Sequence, residues 1–301
     1  MTHAPSGPRD MHDDGAFHSR PGAAAGGAAS TAPVVLITGA SSGIGRCCAE
    51  YLHGRGFRVY GTSRRAPESG DGSAGFRMIG MDVTSDESVR RAVELVLAQE
   101  GRIDVVLNNA GDGIAGAVED TSIEEAKQQF ETNFFGALRV CRAVLPSMRA
   151  RGAGLIANVS SLGGLVGLPF QGLYSASKFA LEGATEALRM ELRPHGVRAV
   201  LIEPGDFRTG FTAQRRKVAA AQDGSPYAGR FARALATMEK DESHGADPLQ
   251  VARLLERLIG TRSPRPRYKV GGFAQTFTIG LRKVLPQKLV EYLVMASYDI
   301  S

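Results

Sequence analysis

Cysteine is scarce in this sequence: three among 301 residues, with Cys47 and Cys48 adjacent and Cys141 far from both. That set makes neither a disulfide framework nor a metal-ligand spacing, so the thiols read as reduced and structural and no metal is expected. Long apolar runs are missing too. No stretch approaches about 18 consecutive apolar residues, and the first residues carry no apolar block of the kind a secretion signal needs. Neither a membrane span nor export is indicated, and the expected compartment is the cytoplasm. Nor is charge of one sign concentrated: the formal net charge is +5, but acids and bases are interspersed along most of the chain. With no recognition motif beside it, such a balance leaves nucleic acid an unexpected partner. Two local basic groups, at 215–217 and 262–269, read as solvated loops.

Val, Ile and Leu are absent before Val34, where the chain is Gly, Ala, Ser, Pro and scattered charge. Such a segment buries too little apolar surface to offset the entropy of ordering, so residues 1–31 read as a disordered tail. From Val34 onward the pattern is different in kind. Short apolar runs at 34–38, 57–62, 76–83, 104–110, 154–161 and 197–204 are rich in Val and Ile, the pattern of parallel strands buried on both faces. A last candidate strand lies at 267–271. Segments of helical period at 43–55, 86–100, 123–149, 172–193 and 247–259 supply the crossovers. This alternation predicts an α/β fold, a doubly wound parallel sheet of Rossmann type, in a single domain over 32–275. Ligands of such sheets sit at the carboxyl ends of the strands. Residues 276–301 form a C-terminal extension whose apolar spacing (Leu281, Val284, Leu285, Leu289, Leu293) suits one or two amphipathic helices.

The first strand runs into Thr38-Gly39-Ala40-Ser41-Ser42-Gly43-Ile44-Gly45, which opens a helix. Glycines at such a bend let the backbone approach a pyrophosphate, and the helix N-terminus offers free N–H groups and partial positive charge. Gly39, Ser41, Ser42, Gly43, Ile44 and Gly45 are therefore candidate dinucleotide-binding residues. An acid about 20 residues past the glycines would hold the ribose 2′-hydroxyl of NAD. Here the second strand ends in Ser63-Arg64-Arg65 without one. A guanidinium pairs with the 2′-phosphate that a carboxylate would repel, so the expected cofactor is NADP(H). Tyr174 and Lys178 form an i, i+4 pair that points both side chains to one face of a helix. The pair begins 13 residues after Ser161, which ends a buried strand. A phenol, with a reference pKa near 10, is a poor base at neutral pH unless a neighbouring ammonium favours the phenolate. Lys178 supplies that charge, so Tyr174 is expected to titrate low.

Together, Thr38-Gly-x-x-x-Gly-x-Gly45, Asp82-Val83, Asn108-Asn-Ala-Gly111, Asn133, Ser161, Tyr174-x-x-x-Lys178 and Pro204-Gly205-x-x-x-Thr209 resemble the short-chain dehydrogenase/reductase family. The resemblance holds in order and spacing from about Pro33 to Gly271. It implies Asp82 and Val83 on the adenine, and the backbone of Asn109, Ala110 and Gly111 beside the adenosine ribose. Tyr174 and Lys178 would lie at the nicotinamide ribose, and Pro204, Gly205, Phe207 and Thr209 around the carboxamide. It also implies a catalytic set of Asn133, Ser161, Tyr174 and Lys178. Tyr174 is then the general acid for reduction and base for oxidation, Lys178 lowers its pKa, Ser161 orients the substrate oxygen, and Asn133 holds the water of a proton relay. A homodimer or homotetramer is implied as well. Within the family, Gly167-Leu-Pro-Phe170 followed by Tyr174-Ser-Ala-Ser-Lys-Phe-Ala-Leu-Glu-Gly183 looks most like the 17β-hydroxysteroid and retinol dehydrogenases. Two positions depart from the family pattern: Ser42 stands where some NADP-dependent members have a base, and Phe207 replaces the usual Val or Ile.

The resulting expectation is reversible hydride transfer between C4 of NADP(H) and a carbinol or carbonyl carbon. A substrate loop at about 206–246 contributes Phe207, Phe211, Tyr227, Phe231, Leu235 and Met238, and the segment after Ser161 adds Leu162, Leu165, Leu168 and Phe170. That apolar supply points to a bulky alcohol or ketone of steroid, retinoid or lipid-like kind, with Leu162, Phe170, Phe207 and Phe211 as its contacts. The C-terminal extension suits a cover for the cleft or a peripheral contact with an anionic membrane surface. Two alternatives stay open. One is a reductase of carrier-bound or coenzyme A-bound ketoacyl thioesters, its phosphopantetheine arm resting on the bases at 215–217. The other is a catalytically silent NADP(H)-binding sensor on the same fold.

Overall fold

Where the sequence runs apolar at every position, the chain is a parallel strand. The computed structural model describes residues 1, 32–66, 75–211, 215–221, 224–282 and 284–300; apart from Met1, the tail expected at 1–31 lies outside the described residues. Strands β1 (Val34–Ile37), β4 (Val105–Asn108) and β6 (Gly154–Val159) are buried at every residue and form the middle of a sheet. β2 (Arg58–Ser63) and β3 (Arg77–Gly80) extend it on one side, β7 (Val197–Pro204) and β9 (Arg267–Val270) on the other. The order is β3-β2-β1-β4-β6-β7-β9, all parallel, as the alternation requires. A short parallel pair, β5 (Ile114–Ala115) with β8 (Arg216–Lys217), stands apart from it.

Helices cover both faces. On one, α1 (Gly43–Gly54) and α7 (Leu249–Gly260) bring Leu52, Val251 and Leu255 onto β1 and β4. On the other, α2 (Asp86–Glu100) and α4 (Gly136–Arg151) bring Val93, Val140 and Val144. Cys48 and Cys141 are buried in these two layers, and burial pushes both thiols upward, which keeps them unreactive. β3 is shorter than the run at 76–83. The chain leaves the sheet after Gly80, and the Asp82 carboxylate accepts from the Thr84 N–H (2.9 Å) and hydroxyl (2.8 Å), turning the backbone toward α2.

The helix expected over 123–149 is interrupted. α3 (Ile123–Phe130), begun by a capping box of Ser122 and Glu125, passes through a π turn at Glu131–Phe135 before α4. α5 (Gly172–Leu192) follows the expected bounds to within a residue. One helix went unread: α6 (Ala228–Ser243), although Phe231, Ala234, Leu235 and Met238 mark its buried face at i, i+3, i+4 and i+7. The extension makes two helices, α8 (Phe273–Leu281), beginning before the expected boundary at 276, and α9 (Gln287–Ser297). Ala234 and Met238 of α6 pack with Phe170, Met295, Tyr298 and Ile300 into a small satellite core.

One member of each basic group expected to be a solvated loop needs correction, while Lys217, Arg262, Arg265 and Lys269 are exposed as expected. Arg215 is buried and paired with Glu242, its guanidinium 5.7 Å from the Phe211 ring, because α6 brings the carboxylate to it. Arg267 lies inside β9 and bonds Glu182 of α5 and Glu203 of β7.

Candidate active site

The bend after β1 is fastened by one buried threonine. Thr38 Oγ1 accepts from the backbone N–H groups of Asn109 (2.9 Å) and Ala110 (2.8 Å), while Asn109 Nδ2 donates to the Thr38 carbonyl (2.9 Å). The loops after β1 and β4 are thereby tied together. Gly39 stands at φ 67°, and a Cβ there would meet the Ala110 backbone at 2.9 Å. Neither the conformation nor the space admits a side chain, which leaves backbone open to a ligand. Helix α1 starts at Gly43 with Ser42 as its extended N-cap and no acid in its first turn, so its dipole meets no competing carboxylate. A Cβ at Gly43 would meet Thr209, from the segment after β7, at 3.3 Å.

The other predicted cofactor contacts surround the same cleft, a cavity of about 1250 Å³ along the carboxyl edge of the sheet. Ser63, Arg64 and Arg65 end β2, where the Arg65 N–H donates to Ser63 Oγ (3.1 Å) and both arginines are exposed. Asp82 and Val83, then Ala110 and Gly111, then Pro204, Gly205 and Phe207 also line the cleft. The Gly205 N–H donates to the Val270 carbonyl (2.8 Å), which fixes this end of β7 against β9.

The four catalytic candidates converge on the first turns of α5. Lys178 Nζ donates to the Val159 carbonyl (2.9 Å) and lies 5.9 Å from the centre of the Tyr174 ring. Ser161 caps the 3-10 turn Leu162–Gly164, its Oγ accepting from the Gly163 N–H (3.0 Å). Asn133 sits in the π turn. Its Oδ1 accepts from the Asp112 N–H (2.9 Å), and its Nδ2 donates to the Asp112 carbonyl (3.0 Å) and to Ser177 Oγ (3.1 Å). Both amide hydrogens are thus engaged in bracing the loop after β4 against α5, so a relay water finds no open donor on this side chain.

Burial reverses the expected direction at the phenol. It pushes Tyr174 up to about 12; the Ser161 hydrogen bond and the Arg215 charge pull it down, and Glu242 and Asp206 push it up. Burial likewise draws Lys178 down to about 8, against the attraction of Asp112 and Glu182. A phenolate in this pocket costs more to desolvate than the Ser161 hydrogen bond and the Arg215 charge return. The Tyr174 phenol is therefore protonated at neutral pH.

Of the predicted substrate contacts, Leu162, Phe207 and Phe211 line the cleft, and the Phe211 ring lies 6.2 Å from that of Tyr174. Phe170 does not. It adopts φ 58° and packs on Phe231, ring centres 5.6 Å apart, away from the lining. Sequence reasoning missed the polar groups at this end. The Asp206 N–H donates to Gln275 Oε1 (3.1 Å) and its carboxylate accepts from Gln275 Nε2. Burial, with Glu242 and Asp241 nearby, raises the Asp206 carboxyl. Gln171 Nε2 donates to Tyr298 Oη (3.4 Å) and to Met238 Sδ (3.0 Å). These partners are far apart in the chain and carry no local signature.

The sequence profile described as short chain dehydrogenase matches residues 33–220. Among curated relatives, the 3-ketodihydrosphingosine reductase of Bacteroides thetaiotaomicron is 43% identical over 267 residues, covering 89% of this chain and 98% of its own. A short chain dehydrogenase/reductase from Burkholderia phymatum, solved in complex with NAD, superposes with a TM-score of 0.71 at 27% identity, over 84% of this chain and 93% of that one. The alcohol dehydrogenase of the archaeon Thermococcus sibiricus, complexed with 5-hydroxy-NADP, gives 0.63 at 27% identity, over 80% and 97%.

Proposed function

This chain belongs to the short-chain dehydrogenase family and is an oxidoreductase of carbonyl and alcohol groups; from that premise we propose that it is an NADPH-dependent ketone reductase acting on a lipid-like, long-chain amino ketone. The observation that carries the reading is the make-up of the cleft. One end is a backbone cradle that excludes a side chain at Gly39, the other mixes apolar Leu162, Phe211 and Val294 with the carboxylates of Asp206 and Asp241, and Tyr174 belongs to the same cavity. An alkyl chain suits the apolar wall, and an ammonium beside the ketone, as in 3-ketodihydrosphingosine, suits the carboxylates.

The residues fit NADP(H): the glycine bend and the acid-free N-terminus of α1 would hold the pyrophosphate, and Arg64 and Arg65 the 2′-phosphate. When bound, the cofactor supplies the hydride. The Tyr174 phenol, an acid at neutral pH, donates its proton to the substrate oxygen as charge develops there. Ser161 orients that oxygen through its hydroxyl. Lys178, drawn down to about 8, is still largely an ammonium at pH 7 and sets positive charge beside the phenol as the proton leaves. Asn133 keeps the loop after β4 seated on α5. A ketoacyl-thioester reductase is less well supported, because Arg215, one of the bases meant for the phosphopantetheine arm, is buried against Glu242. A silent sensor would leave the gathering of all four catalytic candidates without a use.

The test follows nicotinamide absorbance with NADPH and NADH over a long-chain 3-keto amine, a steroid ketone and a small polar ketone. The expected result is NADPH-dependent reduction of the long-chain amine at least about tenfold more efficiently than the small ketone, the margin that apolar contacts supply. Equal or faster turnover of the small polar ketone overturns the substrate class, and equal use of NADH overturns the cofactor.

A further inference from the structure

Half of the large apolar side chains exposed among the described residues lie within 273–293: Phe273, Phe277, Val284, Leu289, Tyr292 and Leu293. Phe273 is 81% exposed, Val284 76% and Phe277 54%. The Phe273 and Phe277 rings, one helical turn apart, stack at 5.7 Å, so each covers the other while the pair faces outward. The same helices wall the cleft from inside: Gln275, Thr278 and Ile279 of α8 and Val294 and Ser297 of α9 line it, and Leu293 is both lining and exposed. The apolar outer face is therefore continuous with the wall of the substrate cavity.

The charge around this face is mostly positive, with Glu291 of α9, held by Gln287, as its one exposed acid among the described residues of the two helices. No Asp or Glu occurs between Glu256 and Glu291, whereas Arg262, Arg265, Lys269, Arg282 and Lys288 do, all of them exposed. Lys269 Nζ would lie 3.8 Å from a Cβ at Gly280, and the Arg282 guanidinium stands 5.8 Å from the Phe179 ring, so cations border α8 on two sides. Exposed aromatics edged with bases are how helices rest in the headgroup region of an anionic bilayer, rings in the acyl boundary and ammonium groups among the phosphates. A second copy of the chain on this face would bring like charge to like charge with few acids to match it. Among the described residues no helix is long and apolar enough to cross a membrane, so the contact is one of lying on it.

We infer that the outer face of α8 and α9 is an interfacial membrane dock, which seats the wall of the substrate cleft on an anionic lipid surface. The inference is independent of the substrate reading, because lipid binding needs no turnover. The experiment floats the full-length protein with vesicles of phosphatidylcholine alone or mixed with phosphatidylglycerol, at low and high salt, and compares the Phe273→Ser/Phe277→Ser variant. The protein floats with the anionic vesicles, salt releases it, and the double variant binds roughly fivefold less or weaker still. Neither phenylalanine lines the cleft, so reduction of a short soluble ketone in vesicle-free buffer is unchanged. A Lys269→Glu/Arg282→Glu/Lys288→Glu variant, which leaves the apolar face intact, loses binding to anionic vesicles too. No flotation of the native protein overturns the inference, as does equal flotation of both variants. A double variant that changes oligomeric state with vesicle binding intact overturns it as well and assigns the face to a second copy.

Discussion

Near the N-terminus of α5, Lys178 is buried and donates to the Val159 carbonyl, whereas further along the same helix Arg267 reaches from β9 to Glu182 (2.9 Å), Glu186 (2.7 Å) and Glu203 (3.2 Å). The two cations answer burial in opposite ways. Desolvation draws Lys178 down to about 8. It pulls on Arg267 as well, but the hydrogen bonds to Glu186 and Glu182 outweigh it and hold that guanidinium above its ordinary value. A cation matched by carboxylates serves the fold: Arg267 pins the edge strand to the sheet and to α5. A cation left short of them is poised for chemistry, because its charge is free to act on whatever enters the cleft. Under the proposed function, one helix carries a region arranged for stability and a region arranged for reaction.

The largest effect that separates the regions belongs to the phenol. Tyr174→Phe is expected to lower turnover by about 10²–10⁴ while leaving NADP(H) affinity and melting temperature unchanged, since only the transferable proton is removed. Nicotinamide absorbance, a fluorescence titration and a thermal melt read the three quantities. A variant that keeps most of its rate would move the acid elsewhere.

Next is the structural cation. Arg267→Met is expected to cost about 3 kcal/mol in a denaturant titration, the low end for a broken buried pair because the side chain is 32% exposed. The folded fraction keeps its turnover. Glu182 is already raised by burial, and without the lowering hydrogen bond and charge of Arg267 it rises further. A carboxyl whose pKa is higher folded than unfolded binds more protons in the folded state, so the deficit of the variant grows as pH climbs from about 4.3 toward 7. A deficit that is flat with pH would mean that the pairing with Glu182 and Glu203 is not what Arg267 contributes.

Arg64 and Arg65 are cations of a third kind, exposed at the end of β2 and assigned by the proposed function to the 2′-phosphate. Replacing both with Ala should weaken NADP(H) by about 1.5–3 kcal/mol for each charged hydrogen bond lost and leave NAD(H) nearly unchanged. The free protein should melt as before, because neither side chain is part of its packing. Equal weakening of both cofactors would take the 2′-phosphate away from these residues.

The features legible in the sequence divide along the same line. The glycine bend and the Tyr174–Lys178 spacing were readable because each is a local demand, a backbone at positive φ with a close approach and two side chains on one helical face, whereas the paired asparagines were readable only through the family resemblance. The central strands were readable because burial on both faces leaves unbroken apolar runs. The substrate end was not, since Asp206 meets Gln275, Arg215 meets Glu242 and Gln171 meets Tyr298 only after the chain has folded. Arg267 read as part of a basic loop for the same reason, its three partners lying in α5 and β7. Helix α6 was a different failure, for its apolar face at Phe231, Ala234, Leu235 and Met238 was there to be counted. The direction of the Tyr174 shift was missed because adjacency to Lys178 is visible in a sequence and depth of burial is not.

The smallest effect is the sharpest test of the comparison, because it asks whether Lys178 stabilises the fold at all. Lys178→Met keeps the length of the side chain and removes the buried charge. It gives up the hydrogen bond to the Val159 carbonyl, a loss of about 1–3 kcal/mol if that group stays dry. It also relieves the cost of holding an ammonium in the pocket, and the two offset each other at neutral pH. Because the pKa falls on folding, from 10.5 toward about 8, the unfolded chain holds more protons between those values. Native stability contributed by this group therefore rises with pH across that window and is at its lowest, and flat, below it. The variant has no such slope. Thermal melts at pH 7 and pH 10 should show Lys178→Met close to the native protein or above it at pH 7, and below it at pH 10, with turnover lost at both. If the variant is instead several degrees less stable by the same margin at both pH values, Lys178 is a structural cation like Arg267, and the division of α5 into two regions fails.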